Sequence, residues 1–231
     1  VGLAVIPFFT FIHGIVVNAY NYKVHKVKVK IPNLPKAFEG LKIIHLSDIH
    51  SGSFTQKEPV IEAVEQINKL NADIIFFTGD IVNSKSEELK PYVEVFGKLK
   101  ARLGVFSVTG NHDHGDYFPW PNEEARIADV ERLLDMEREM GWKVLIDENI
   151  RLTSEEGDLA IIGIQSWSAK GRFKQYGDLS KAYQGSESAK AKILLSHDPS
   201  HWDAEVRDAF PDIDLQLSGH THGAQFGVEN K

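Results

Sequence analysis

The hydrophobic positions of this chain form two kinds of pattern that alternate along the first half of the sequence. Short apolar runs of strand length occupy residues 41–46, 74–78 and 105–108. Between these runs, residues 59–70 and 87–99 place apolar side chains three and four positions apart, which predicts amphipathic helices. Strands that alternate with helices predict an α/β fold with a largely parallel sheet.

The second half carries one long helix pattern, followed mostly by strand patterns. Residues 123–140 are rich in charge and predict a helix that ends at Gly141, a residue suited to helix C-termini. The strand-like runs that follow occupy residues 143–146, 151–153, 159–164, 193–196 and 215–218. Because no long linker or internal repeat interrupts the pattern, we expect a single domain over residues 23–231.

The first twenty residues are the most apolar stretch of the chain and stand apart from this domain. No charged residue precedes Lys23, and Tyr20 and Tyr22 lie where an aromatic belt would meet a membrane surface. About 20 apolar residues span a bilayer as a helix. Residues 1–22 therefore predict an apolar anchor helix in a membrane, and a buried helix or strand pair of the folded core is the alternative.

Charge is distributed unevenly along the chain, which has 26 Lys and Arg residues, 33 Asp and Glu residues and a net charge of −7. Lysines are concentrated just after the apolar segment, which favours a membrane-associated protein whose domain faces the cytoplasm. In residues 26–31 lysine alternates with valine or isoleucine, and an edge strand would explain the same charges. The acidic total argues against binding to duplex nucleic acid, and nothing in the sequence points to an obligate protein partner.

Polar side chains with ligand chemistry follow five of the strand-like runs. The five motifs are Ser47-Asp48-Ile49-His50, Thr78-Gly79-Asp80, Thr109-Gly110-Asn111-His112-Asp113, Ser196-His197-Asp198-Pro199 and Ser218-Gly219-His220-Thr221-His222. In open α/β sheets, ligand sites form beyond the carboxyl ends of the strands. We therefore expect these motifs to meet in space. Each of the first four alone also fits a turn, a polar loop or a helix cap, whereas the paired histidines of the last have no obvious packing role.

The residue types in these motifs are those of a divalent-metal site. Carboxylate oxygens, an amide oxygen and imidazole nitrogens suit Mn, Fe or Zn. Alternate residues of an extended segment point the same way, so Asp48 can chelate one ion with His50, and His220 can do so with His222. The remaining candidates are Asp80, Asn111 and His197. Seven ligands are too many for one tetrahedral ion, and they fit two ions about 3.5–4 Å apart that share a carboxylate.

In this order, over residues 41–223, the five motifs resemble the signature of the calcineurin-like metallophosphoesterase superfamily. The resemblance implies a four-layer αββα fold, in which a two-sheet β-sandwich is flanked by helices and the site lies at one end. Together with the apolar N-terminus, the segments around residues 45–50 and 193–199 resemble the membrane-associated bacterial branch of YkuE-like and YaeI-like phosphodiesterases. Relatives continue past the last motif with further strands, so we expect the domain to be truncated at its C-terminus.

The resemblance also implies a role for each motif residue. One metal would take Asp48, His50 and His222, the second would take Asn111, His197 and His220, and Asp80 would bridge the pair. The catalytic pair would be His112, beside the leaving group, and Asp113, which would orient it.

The function that follows is hydrolysis of phosphate esters by a hydroxide that two divalent cations activate. We expect a membrane-associated phosphodiesterase or pyrophosphatase that acts on a phosphodiester or on a lipid-linked or nucleotide diphosphate. A phosphomonoesterase or phosphoprotein phosphatase is the first alternative, because metals grip the phosphoryl group common to all these substrates. A non-catalytic scaffold on the same fold is the second, and the presence of His112 and Asp113 argues against it.

Two further segments are candidates for substrate contact. Residues 114–121 combine polar, aromatic and proline residues, which would form either a cap over the substrate or a rigid surface loop. Beyond the run at residues 159–164, Trp167 would stack on a base, pack under a lipid or pack in the core. Arg172 and Lys174 would meet a diphosphate or remain solvated.

Overall fold

The computed structural model describes residues 20–222, together with Phe8, Phe9 and Gly14. The anchor helix expected over residues 1–22 falls almost entirely outside this part of the chain. Among the helices within the described residues, none is both long enough and apolar enough to cross a membrane.

The first sheet contains four parallel strands in the order β1-β2-β3-β4. They are β1 (Ile43–Leu46), β2 (Ile74–Phe77), β3 (Val105–Ser107) and β4 (Lys143–Val144). The register places Ile44 beside Ile75 and Phe76 beside Phe106. The carboxyl ends of β1, β2 and β3 therefore lie side by side, and the strands predicted from their apolar runs are confirmed.

The second sheet is mixed and runs in the order β5-β6-β7-β8. Its strands are β5 (Glu148–Leu152), β6 (Leu159–Gly163), β7 (Ala191–Leu195) and β8 (Leu215–Leu217). Strand β5 is antiparallel to β6, whereas the β6–β7 and β7–β8 pairings are parallel. The two-sheet arrangement implied by the family resemblance is confirmed. The strand pattern alone did not divide the strands between two sheets.

The helices cover the outer faces of the two sheets. They are α1 (Glu58–Lys69), α2 (Val93–Phe96), α3 (Glu123–Glu139), α4 (Leu179–Tyr183) and α5 (Arg207–Ala209). The helix predicted over residues 87–99 is wrong in its first half, where two 3₁₀ turns precede α2. Pro91 has no amide hydrogen to donate and is tolerated only in a first helical turn, so a new turn begins there.

Side-chain alternation along the strands separates three apolar layers. Ile75 and Phe77 of β2 pack in a cluster with α1, α2 and α3. Ile74 and Phe76, on the other face of β2, lie in the cluster between the two sheets. On the outer face of the second sheet, Ile162 of β6 packs against α4. The order of layers is therefore helix, sheet, sheet, helix, and the strand ends of both sheets meet at one edge.

A buried carboxyl group lies in the layer between α3 and the first sheet. Glu137 is fully buried, and its oxygens have no hydrogen-bond partner among the described residues. Burial, reinforced by the charge of Asp113, raises the pKa of Glu137 to about 8 from its ordinary value of 4.5. Between these two values the folded chain holds a proton that the unfolded chain releases. The stability contributed by this group therefore falls as the pH rises through that range.

We expect Glu137→Gln to remove this pH dependence, because glutamine stays neutral at every pH. The free energy of unfolding of the variant, relative to wild type, should rise by up to about 1.4 kcal/mol per pH unit between about pH 5 and about pH 8. Urea unfolding at several pH values measures this slope. The matched control is Glu131→Gln at an exposed position of α3. A difference between Glu137→Gln and wild type that stays constant with pH would contradict the assignment.

Candidate metal centre

Five loops meet at the edge of the sandwich where strands of both sheets end. These loops follow β1, β2, β3, β7 and β8, and each carries one of the five sequence motifs. Five of the predicted ligands adopt the left-handed backbone conformation, with φ of 53° at Asp48, 47° at His50, 60° at Asp80, 68° at His220 and 50° at His222. Such conformations cost non-glycine residues about 1–3 kcal/mol each and persist only where the surroundings enforce them. The fold therefore holds these five side chains in place at a cost in conformational stability.

Asp80 lies between the two halves of the site and is only 1 % exposed. Its Oδ2 is 3.1 Å from Nε2 of His197 and 3.7 Å from Nε2 of His50. Its Oδ1 accepts a hydrogen bond of 2.9 Å from the backbone amide of His112. One carboxylate thus faces an imidazole from each sheet, which is the arrangement expected of a bridging ligand.

The first group of donors consists of Asp48, His50 and His222, whose ligand atoms lie close enough to share one ion. Nε2 of His222 is 3.4 Å from Oδ1 of Asp48 and 3.3 Å from Nε2 of His50. The backbone amide of His220 donates to both oxygens of Asp48 at 3.0 Å. The loop after β8 is thereby fastened to the loop after β1.

The second group consists of Asp80, His197 and His220, with Nε2 of His197 3.3 Å from Nδ1 of His220. Asn111 lies on the neighbouring loop after β3, and its Nδ2 donates to the hydroxyl of Tyr117. Its Oδ1 is buried and has no partner within the described residues. A buried acceptor without a partner costs about 1–3 kcal/mol. A cation would satisfy that oxygen, so the donor set fits the divalent metals that the sequence implies.

Backbone carbonyls set the orientation of three imidazoles. The Nδ1 atoms of His50, His197 and His112 face the carbonyl oxygens of Val82, Thr78 and Asn83, at 3.2, 2.7 and 2.6 Å respectively. An Nδ1–H that donates to a carbonyl leaves the Nε2 lone pair free on the other side of the ring. The sequence does not predict these contacts, because every residue type has a backbone carbonyl.

The pKa shifts of His197 and Asp80 indicate how strongly the centre attracts positive charge. Burial by itself lowers the pKa of His197, but the hydrogen bond and the negative charge of Asp80 outweigh it and raise the pKa to about 9. For Asp80 the two effects have the opposite signs. Burial raises the pKa of its carboxyl group, but the contact with His197 outweighs burial and lowers the pKa. A metal ion at this point competes with that proton, so metal binding is favoured as the pH rises.

Asp113 does not hold the imidazole of His112 in the way the family role suggests. Its carboxylate accepts hydrogen bonds from backbone amides instead, those of Asp80, Ile81, Val82 and Gly110. Four amide bonds to one buried carboxylate lock the loop after β2 against the loop after β3. Asp113 therefore positions His112 indirectly, through the segment that ends at the Asn83 carbonyl.

Two glycines allow these loops to approach each other. A Cβ at Gly110 would collide with the Asp80 carboxylate, and a Cβ at Gly219 would collide with the side chains of Ser47 and Asp48. Any other residue type at either position would push a ligand-bearing loop away from the centre.

Residues 41–224 match the family model of calcineurin-like phosphoesterases. The chain belongs to this family, and its domain is that of a phosphate ester hydrolase.

Individual relatives agree with this assignment. A protein described as "Transmembrane protein with metallophosphoesterase domain" from Danio rerio is 32% identical over 219 residues, which cover 93% of this chain and 47% of that protein. The uncharacterized metallophosphoesterase YkuE of Bacillus subtilis is 29% identical and aligns over 87% of this chain and 64% of its own length. The chain thus spans about half the length of the zebrafish relative.

Among solved structures, the NAD nucleotidase of Haemophilus influenzae has the same fold. The TM-score is 0.52 at 18% sequence identity, and the match covers 79% of this chain and 38% of the nucleotidase. At this identity the likeness concerns the fold alone.

Three side chains near the centre take roles that the sequence left open. Tyr117 stacks on the ring of His112 at 4.2 Å and binds the amide of Asn111. Asp198 faces Nε2 of His220 at 3.6 Å and also accepts a hydrogen bond from the hydroxyl of Ser168. Trp167 packs on the ring of His201 at 4.2 Å, which favours packing over contact with a substrate.

We expect Tyr117→Phe to weaken one of two metal sites by about tenfold, because the hydroxyl that orients Asn111 is lost while the ring on His112 remains. Calorimetric titration of chelator-treated protein with Mn²⁺ measures both affinities. The matched control is Tyr183→Phe, which removes a hydroxyl that donates to Asp212 instead. Equal Mn²⁺ affinities of Tyr117→Phe and wild type would show that the hydroxyl of Tyr117 is not needed to orient the Asn111 amide.

Proposed function

We propose that this chain is a dinuclear metal-dependent phosphodiesterase or pyrophosphatase. The observation that supports it most is the position of Asp80, whose carboxylate lies close enough to share an ion with His197 and His220 on one side and with His50 and His112 on the other. Asp48, His50 and His222 would hold one cation, and Asn111, His197 and His220 the other. When bound, the two cations supply Lewis-acid activation of the phosphoryl group and of the attacking water.

The residues around the centre supply the rest of the chemistry. His112 has its Nδ1 held by the Asn83 carbonyl and its ring held by Tyr117, so its Nε2 is left for the substrate. Water attacks phosphorus, the ester P–O bond breaks, and His112 donates a proton to the departing oxygen or hydrogen-bonds the phosphoryl group. The buried carboxyl group of Asp113 would hold this loop in place through the four backbone amides that donate to it.

A cleft beside the centre favours a diester or diphosphate over a monoester. It has a volume of about 260 Å³ and is lined by Asn111, Tyr117 and residues of the loop after β6. A diester carries a second substituent on phosphorus that would occupy this space, whereas a monoester has none. Phosphomonoester hydrolysis remains the alternative because both reactions use the same metal ligands.

We expect the protein to hydrolyse bis-p-nitrophenyl phosphate faster than p-nitrophenyl phosphate in the presence of Mn²⁺, Fe²⁺ or Zn²⁺, and to lose activity with a chelator. Asp80→Asn and His197→Ala should each lower kcat/KM by about a hundredfold, since the first removes the negative charge between the two cations and the second removes an imidazole ligand. His25→Ala, at an exposed histidine, is the matched control.

The comparison of substrates separates the alternatives. Turnover of the monoester alone would make the protein a phosphomonoesterase. Metal binding without turnover of either ester would instead favour the non-catalytic scaffold.

We also propose that the protein is membrane-associated through residues 1–22, with the domain on the cytoplasmic side. Support comes from the apolar character of that segment and from two relatives whose names describe them as transmembrane proteins. The lysines that follow the segment favour the cytoplasmic side.

We expect the chain with residues 1–22 to sediment with membranes and to need detergent for release, because the apolar segment inserts in the bilayer. Its variant without these residues should remain in the supernatant. Cell fractionation followed by immunoblotting measures both. A full chain that stays in the supernatant without detergent would contradict the anchor.

A further inference from the structure

The loop after β6 and the loop after β3 enclose a cleft that opens beside Asn111. We call it the Arg172 cleft, and its lining includes Asp116, Tyr117, Arg172, Phe173, Lys174 and Tyr176. Its volume of about 260 Å³ is below the roughly 300–1,000 Å³ of pockets that enclose drug-sized ligands. The cleft therefore accommodates one small group of a larger substrate.

Both walls of the Arg172 cleft touch residues of the metal centre. On one side, the ring of Tyr117 stacks on His112 at 4.2 Å with an interplanar angle of 23°. On the other, the ring of Phe173 meets His220 edge-on at 4.9 Å. A group in the cleft would thus lie next to the position of the scissile phosphoryl group, on the side of the catalytic histidine.

The charges in the cleft leave one cation for a ligand. Asp116 is neutralised by Lys174 at 2.6 Å and accepts hydrogen bonds from the hydroxyl of Tyr176 at 2.9 Å. Arg172, by contrast, forms no ion pair with a carboxylate among residues 20–222. Its guanidinium lies over the ring of Phe173, 4.7 Å from the centroid, and the same ring contacts His220 edge-on.

We infer that Arg172 binds a second phosphate adjacent to the scissile one, and that the substrate is therefore a diphosphate. A guanidinium presents paired N–H donors that match two oxygens of a phosphate. Arg172 lines the cleft while its guanidinium carbon lies over Phe173, which places its N–H donors within reach of a group bound in the cleft. The inference rests on the proposed function and names the substrate class of the same site.

The test compares binding of two non-hydrolysable probes to the Mn²⁺-loaded protein by calorimetry. Methylenediphosphonate carries the second phosphate-like group, and methylphosphonate lacks it. We expect Arg172→Ala to weaken binding of methylenediphosphonate by about tenfold more than binding of methylphosphonate, since one charge-assisted contact is lost. Arg172→Lys, which keeps the charge without the paired donors, should lose part of that difference.

The matched control is Arg207→Ala, at a surface arginine paired with Asp203, and it should leave both affinities unchanged. Equal weakening of both probes by Arg172→Ala would overturn the inference, as would no weakening of either. Binding is measured without turnover, so this test does not depend on the proposed activity. If the wild-type protein binds the diphosphonate through Arg172 but hydrolyses no ester, only the proposed catalytic function is wrong.

Discussion

The site depends on a negative charge that the fold buries between its two sheets. Asp80 is 1 % exposed, and a carboxylate in such a place is costly unless cations or donors surround it. The compensation comes from both sheets, because His50 follows β1 whereas His197 follows β7. His197 supplies part of it, because its contact with Asp80 raises the pKa of the imidazole to about 9. The two sheets thus place a carboxylate and imidazole nitrogens around one point, and this arrangement attracts a cation.

A rigid backbone framework surrounds that charge and explains how the ligands hold their positions. Asp113 ties together the loops after β2 and β3 through four amides, and backbone carbonyls orient three imidazoles. The strained backbone at Asp80 is held by one of these amide bonds, and the side chain of Asp48 is held by the backbone amide of His220. The Arg172 cleft lies directly beside this framework and shares Asn111 and Tyr117 with it.

Much of the fold follows from local pattern. The strands before Asp48 and Asp80 and the helix α3 were predictable, because periodicity reports which face of an element is buried. The broken helix before α2 shows where this fails: the apolar spacing persists through Pro91, yet the backbone cannot continue an α-helix there. The division of strands into two sheets was equally inaccessible to pattern. The inner strands β2 and β6 are buried on both faces, since helices cover one face and the opposite sheet covers the other, so their patterns do not tell the two sheets apart.

The identity of the ligand-type residues and their places at strand ends are properties of the amino-acid sequence. Side-chain chemistry determines which atoms can bind a metal, and strand patterns determine where the chain turns. Only the tertiary structure decided that Asp113 acts through amides, that Tyr117 turns the Asn111 amide and that Arg172 remains unpaired among the described residues. The physical reason is that these contacts join segments far apart in the chain or use backbone atoms. Neither kind of contact can be predicted from the spacing of residue types along the chain.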